Sequence, residues 1–107
     1  MIREIRDYWV EELRSGRWEQ GRFGLCTNGK YCCFGVLAEI TGYLRDSNDK
    51  YPAKVCVGRT GAIWKELLPS TLLSTFGIST GAQAVLVGKN DCGVPFTEIA
   101  DYIEQHL

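Results

Sequence analysis

Phe23-Gly24-Leu25-Cys26-Thr27-Asn28-Gly29-Lys30-Tyr31-Cys32-Cys33-Phe34-Gly35-Val36-Leu37 is the stretch that decides the fold class. Two short runs of strand-forming residues flank Asn28-Gly29. That dipeptide suits a two-residue type I′ turn, because both central positions need positive φ. From Cys33 the pattern changes period. Phe34, Leu37, Ile40 and Leu44 recur at helical spacing, which predicts a helix from Cys33 to Thr41 with Gly42 as its stop. A hairpin leading directly into an apolar helix is an α+β signature.

Upstream, Ile2, Ile5, Trp9 and Leu13 form an apolar stripe widened by Val10, opposite Arg3, Glu4, Arg6, Asp7, Glu11 and Glu12. This predicts a helix from Ile2 to Arg14, stopped by Gly16. Residues 17–22 read as a polar connection. Downstream, residues 46–51 read as a polar loop and Ala53-Lys54-Val55-Cys56-Val57 as a strand. Residues 62–68, with Trp64, read as a short helix. A second short helix starts at Pro69-Ser70 and runs through Phe76 to Gly77. Ala84-Val85-Leu86-Val87 reads as a strand on the strength of its two valines. The last helix starts at Pro95 or Phe96. It turns Phe96, Ile99, Ile103 and Leu107 inward and Glu98, Asp101 and Glu104 outward. The chain shows no repeat, low-complexity tract or linker. The expectation is one α+β domain over residues 1–107: a hairpin-containing, mostly antiparallel sheet of three or four strands, with N-terminal, central and C-terminal helices on one face.

Composition narrows the function classes. With 107 residues and 45% apolar side chains, the chain can build one core and bury about two-thirds of its unfolded surface. Twelve Lys/Arg against thirteen Asp/Glu is no electrostatic footprint for duplex nucleic acid. From Phe23 to Thr60 there are five basic and three acidic side chains; from Gly61 onward, two and five. The middle can attract an anion, and the last helix is acidic. No apolar run reaches the roughly 18 residues of a membrane span. The charged, amphipathic start is unlike a signal peptide, so a cytoplasmic location is expected. Cys26, Cys32, Cys33, Cys56 and Cys92 fit no zinc spacing and read as free, mostly buried thiols.

Catalytic groups are sparse. His106, next to the C-terminal residue, is the sole histidine, and general-base catalysis needs fixed geometry. Cys33, at a helix start, would be acidified if exposed, but its apolar surroundings favour a core role. Asp91, Glu98 and Asp101 are close in sequence, yet two of them fall on a solvated helix face. No phosphate-binding glycine motif is present. No cofactor and no metal site are expected.

Three segments are binding candidates. Arg14, Arg17, Trp18, Gln20 and Arg22 fall within nine residues. Guanidinium groups grip phosphate in pairs of hydrogen bonds, an indole stacks on a base, and an amide reads polar edges. Equally, Trp18 can cover the sheet edge and Gln20 can satisfy loop backbone. Asn90 and Asp91, before the last helix, suit a ligand contact or a local turn or cap. Gly58-Arg59-Thr60-Gly61, with Arg59 and Thr60 between glycines, can hold an anion ahead of a helix.

Two motif blocks carry a resemblance. One is Trp9 … Leu13-Arg14-Ser15-Gly16-Arg17-Trp18-Glu19-Gln20-Gly21 … Leu25 … Cys32-Cys33-Phe34-Gly35-Val36-Leu37. The other is Asn90-Asp91 … Phe96-Thr97-Glu98-Ile99-Ala100-Asp101. Together they resemble a family of small bacteriophage and prophage accessory proteins, with Phe34 in place of the usual Leu and Pro95 in place of Ser or Thr. The resemblance implies action inside a bacterium. The expected function is sequestration, without turnover, of a phosphate-bearing nucleotide signal of bacterial immunity. The alternative is an inhibitor that binds a host defence enzyme through an apolar or acidic surface such as the last helix. A nucleic-acid regulator fits the balanced charge poorly. Homo-oligomerisation is compatible with either main reading.

Overall fold

At the tip of the hairpin both turn residues have positive φ, Asn28 at 54° and Gly29 at 76°, as a type I′ turn requires. The turn joins β1 (Cys26–Thr27) to β2 (Lys30–Tyr31) with Thr27 opposite Lys30. The structure, a computed structural model, describes residues 1–47, 53–58 and 61–107. Among these residues, α1 (Arg3–Arg14) precedes the hairpin and α2 (Cys33–Ile40) follows it. Then come β3 (Leu44–Asp46), β4 (Ala53–Val57), β5 (Ile63–Trp64), α3 (Ser70–Phe76), α4 (Thr80–Asp91) and α5 (Phe96–His106). The fold is α+β.

The sheet is antiparallel throughout its named strands. β4 is its spine: β3 lies along one edge, and β1 and β5 follow one another along the other. The Leu25 N–H donates to the Lys65 carbonyl at 2.8 Å and joins these two short strands end to end. Register places Cys26, Lys54, Cys56, Leu44 and Trp64 on one face. Cys26, Cys56 and Leu44 are buried there. Thr27, Lys30, Arg45 and Ile63 on the other face are exposed.

α2 is buried at every residue from Cys33 to Ala38. Its closest approach to the hairpin is made by Gly35. A methyl group built there would collide with the Leu25 carbonyl, so only glycine lets helix and strand backbones touch. The Cys32 N–H also donates to that carbonyl, and Cys32 Sγ accepts the Gly35 N–H at 3.3 Å as the helix cap. α1 packs along α5. Trp9 is fully buried; its ring lies 5.2 Å from Phe34 and its indole N–H donates to the Cys33 carbonyl at 2.9 Å.

Four expectations are corrected. Residues 84–87 are not a strand but the middle of α4. Ser79 Oγ caps this helix by accepting the Ala82 N–H, and Gln83, Leu86 and Asn90 form its buried face. Helical burial at that spacing overrides the local preference of two valines. Residues 62–68 are not a helix, because Ile63 and Trp64 pair with β4 as β5. Leu44 leaves the α2 stripe and starts β3, so the sheet has five strands. Asp46 is also strand; the loop expected up to residue 51 falls from residue 48 outside the described residues.

Gly35→Ala separates backbone approach from helix propensity. Alanine is the better helix former by about 1 kcal/mol, but the collision with Leu25 forces the layers apart. Urea denaturation is expected to show a net loss of about 2–3 kcal/mol. An equal or more stable variant would contradict this packing.

Candidate functional site

The two motif blocks meet at Asn90. Its side chain is fully buried. Asn90 Oδ1 accepts the Gln20 amide at 3.1 Å and the Cys33 backbone N–H at 3.3 Å, and Nδ2 donates to the Gly21 carbonyl at 2.8 Å. Gln20 also donates to the Val94 carbonyl at 2.7 Å. Next to it, Asp91 Oδ1 accepts the Phe23 N–H at 3.0 Å. Asn90 and Asp91 are therefore not a turn before α5. They end α4, and Asn90 occupies the first amide of α2, a donor that a helix cannot satisfy internally.

The rest of the turn is similarly engaged. Glu12 is buried near the end of α1 and accepts the Trp18 indole N–H at 2.7 Å and the Arg17 guanidinium at 2.5 Å. Trp18 meets Tyr31 edge-on at 4.8 Å. Arg14 bridges to Asp101 and Glu104 of α5 at 2.6 and 2.8 Å. Arg22 is exposed and passes so close to Gly93 that a side chain there would strike its guanidinium. The structure thus brings Gln20, Asn90 and Asp91 together, holds Arg17 and Trp18 on Glu12, and carries Arg14 to the α1–α5 seam.

Cys32 and Cys33, adjacent at the start of α2, are both buried. Burial pushes Cys33 well above the ordinary thiol range and Cys32 up to about 11, so both stay protonated core groups. His106 is exposed and stacks on Tyr102 at 4.3 Å. Among the described residues no three His, Cys, Asp or Glu side chains cluster as metal ligands.

A cavity of small-molecule size lies elsewhere. A cleft of about 460 Å³ opens between α3 and the β4–β5 pair, with Tyr43, Cys56, Trp64, Thr71, Leu72 and Thr75 in its lining. That volume suits one small organic molecule. Gly58 sits at its rim. A Cβ on Gly58 would lie 2.6 Å from Trp64 Cζ3, so the missing side chain lets the indole lie against the strand. The Gly58 N–H donates to the Ala62 carbonyl, and its carbonyl accepts the Gly61 N–H at 3.0 Å. Of the third candidate segment, Gly58 lies on the lining of the cleft; Arg59 and Thr60 lie outside the described residues. A second, more open depression of about 550 Å³ beside Arg14 and Arg17 is also lined by Asp7, Glu11 and Glu104, whose charges oppose an anion.

Sequence reasoning missed Tyr43 and Trp64. Reading residues 62–68 as a short helix with Trp64 hid its pairing with β4. The available signal was Gly58, directly after the strand over residues 53–57, with Gly61 close behind it, a pattern that suits a second hairpin.

Glu12 supplies a pH test. The Trp18 hydrogen bond, opposed by burial and assisted by Arg17, holds its carboxyl below the ordinary 4.5. Its contribution to stability is therefore present above about pH 4.5 and lost as pH falls through the lower folded value. Between about pH 5 and 3 the wild type is expected to lose more melting temperature than Glu12→Gln. Parallel loss in the two proteins would show that Glu12 is not coupled in this way.

No curated protein matches the chain, and no solved structure does. A family model described as a domain of unknown function matches residues 1–72. The matched span takes in α1, the Arg14–Arg22 turn, the hairpin, α2 and the β4–β5 pair; Asn90, Asp91 and α5 lie beyond it. With two-thirds of its length so matched, the chain belongs to the family Domain of unknown function (DUF8296).

Proposed function

We propose that this is a binding protein, not an enzyme, that holds a small phosphate-bearing nucleotide in the cleft between α3 and β4–β5. The observation that carries the reading is the cleft itself: a cavity of small-molecule size walled by Tyr43 and Trp64. Aromatic walls favour a planar ring. Gly58 is on its lining, and in sequence it is followed by Arg59 and Thr60, residue types that can grip a phosphate. The raised thiols and the exposed His106 favour holding a ligand over cleaving it. In the phage setting suggested by the motif resemblance, such a protein withholds a nucleotide signal of bacterial immunity in the host cytoplasm.

The ligand is thereby moved away from the polar turn. Arg14, Arg17, Trp18, Gln20, Asn90 and Asp91 satisfy one another or their neighbours, and a ligand there would have to break those bonds. A second reading, inhibition of a host protein, draws on Phe23. Its backbone is held at φ 59° while its ring is 72% exposed. Strain kept at an exposed aromatic is more common at contact surfaces than elsewhere.

Mass spectrometry of small molecules released by heating the protein purified from bacteria tests the main reading. An intact nucleotide is expected from the wild type and from Arg17→Ala, and none from Trp64→Ala. Release of a converted product, or equal release from Trp64→Ala, would overturn it.

A further inference from the structure

We propose that the cleft recognises its ligand through a neutral planar ring stacked on Trp64, that this ring carries most of the affinity, and that the charged part of the ligand stays outside at the rim. This rests on the reading of the cleft as the ligand site, and adds which part of the ligand enters and which does not.

Charge decides what the cavity can accept. The described lining residues include Tyr43, Cys56, Val57, Trp64, Leu72 and Thr75, and none of them carries a charge. Cys56, on the lining, is itself buried, and desolvation raises its thiol further from ionisation. A phosphate drawn in among these residues would lose its water without gaining a counter-charge from them, which costs far more than a neutral ring does. A neutral ring loses only weakly held water and gains dispersion contact.

The geometry at Gly58 holds the stacking ring in place. The six-membered ring of Trp64 lies so close to the Gly58 Cα that a Cβ would sit 2.6 Å from Cζ3 and 2.8 Å from Cη2. The Cζ3–Cη2 edge of the indole is therefore held against the backbone at Gly58, which pre-orders a ring that lies on the cleft lining. A pre-ordered aromatic loses little conformational freedom on binding. Gly58 is not in the left-handed region, so alanine there meets only the movable end of the Trp64 side chain.

The rim of α3 supplies a polar contact. Thr75 Oγ1 donates its proton to the Thr71 carbonyl at 3.0 Å. Toward the cleft the Thr75 oxygen can therefore only accept. It suits a ring edge that carries an amino group or an N–H, as nucleobases do.

The test is titration of the full chain with adenosine, guanosine and their 5′-monophosphates, read by tryptophan fluorescence and calorimetry at low and high salt. Each nucleoside is expected to bind within about tenfold of its monophosphate, with little salt dependence. Gly58→Ala is expected to weaken nucleoside and nucleotide alike by about ten- to hundredfold, the scale of one lost base stack, with an unchanged urea transition. Thr75→Val is expected to weaken binding several-fold. If removing the phosphate costs more than about a hundredfold, or binding falls steeply with salt, the phosphate carries the affinity and the inference fails, while the cleft remains a nucleotide site. If 1-anilinonaphthalene-8-sulfonate binds and Gly58→Ala releases it, but no nucleoside or nucleotide binds, both the nucleobase assignment and the nucleotide reading fall and only a cleft for planar rings remains. If none of these probes binds, the cleft is not a ligand site and both proposals fall.

Discussion

A single buried carboxamide, Asn90, holds the parts of this structure in register. Two segments distant in sequence bring polar groups to its position: the polar turn, with the Gln20 amide and the Gly21 carbonyl, and the first amide of α2. A buried backbone donor left unpaired costs about 1–3 kcal/mol, and an apolar side chain at residue 90 would take this partner from both the Cys33 N–H and the Gly21 carbonyl. Among uncharged side chains an amide offers a donor and an acceptor at one end, so it can serve the Gly21 carbonyl and the two donors at once. Asp91 extends the joint by taking the Phe23 N–H. The end of α4, the start of α2 and the polar turn are thereby locked to one another.

From that joint the rest follows in order. α2 is fixed at its N-terminus, and Gly35 then sets how closely it rides on the Leu25 backbone. The hairpin, held by its own turn, feeds β1 onto β4, while β5 continues along the same edge and carries Trp64 to the cleft. The residues that look most like recognition chemistry, Arg14, Arg17, Trp18 and Gln20, work as internal partners. The residues that enclose space, Tyr43, Trp64 and the first turns of α3, lie in a stretch without an obvious motif. Polar character and enclosed space are separated in this molecule: the polar side chains of the turn are engaged with their neighbours, and the enclosed space is lined mainly by aromatic and aliphatic groups.

Legibility in the sequence followed the range of the forces involved. Asn28-Gly29 and the stripes of α1, α2 and α5 were legible because turn geometry and helical periodicity are local. β5 and β3 were not, since two- and three-residue strands exist only by pairing with β4. Ala84 to Val87 misled for the same reason: their state is set by burying Leu86 and Asn90 against distant segments. For the site, the polar residues were legible but their partners were not. Gln20 and Asn90 are seventy residues apart, and nothing local says that they meet. Gly58 was legible as the start of a glycine-bracketed segment, yet its place on the lining of an aromatic cleft depends on β5, which was read as helix.

The central role of Asn90 is tested most directly by a double-mutant cycle between Gln20→Ala and Asn90→Ala, measured by urea unfolding. Two residues joined in one buried network should not act independently. A coupling energy of about 1–2 kcal/mol is expected, with Asn90→Ala the more damaging single change. Additive effects within about 0.5 kcal/mol would mean that the two motif blocks do not depend on one another, and would contradict the role of Asn90 as the joint between them.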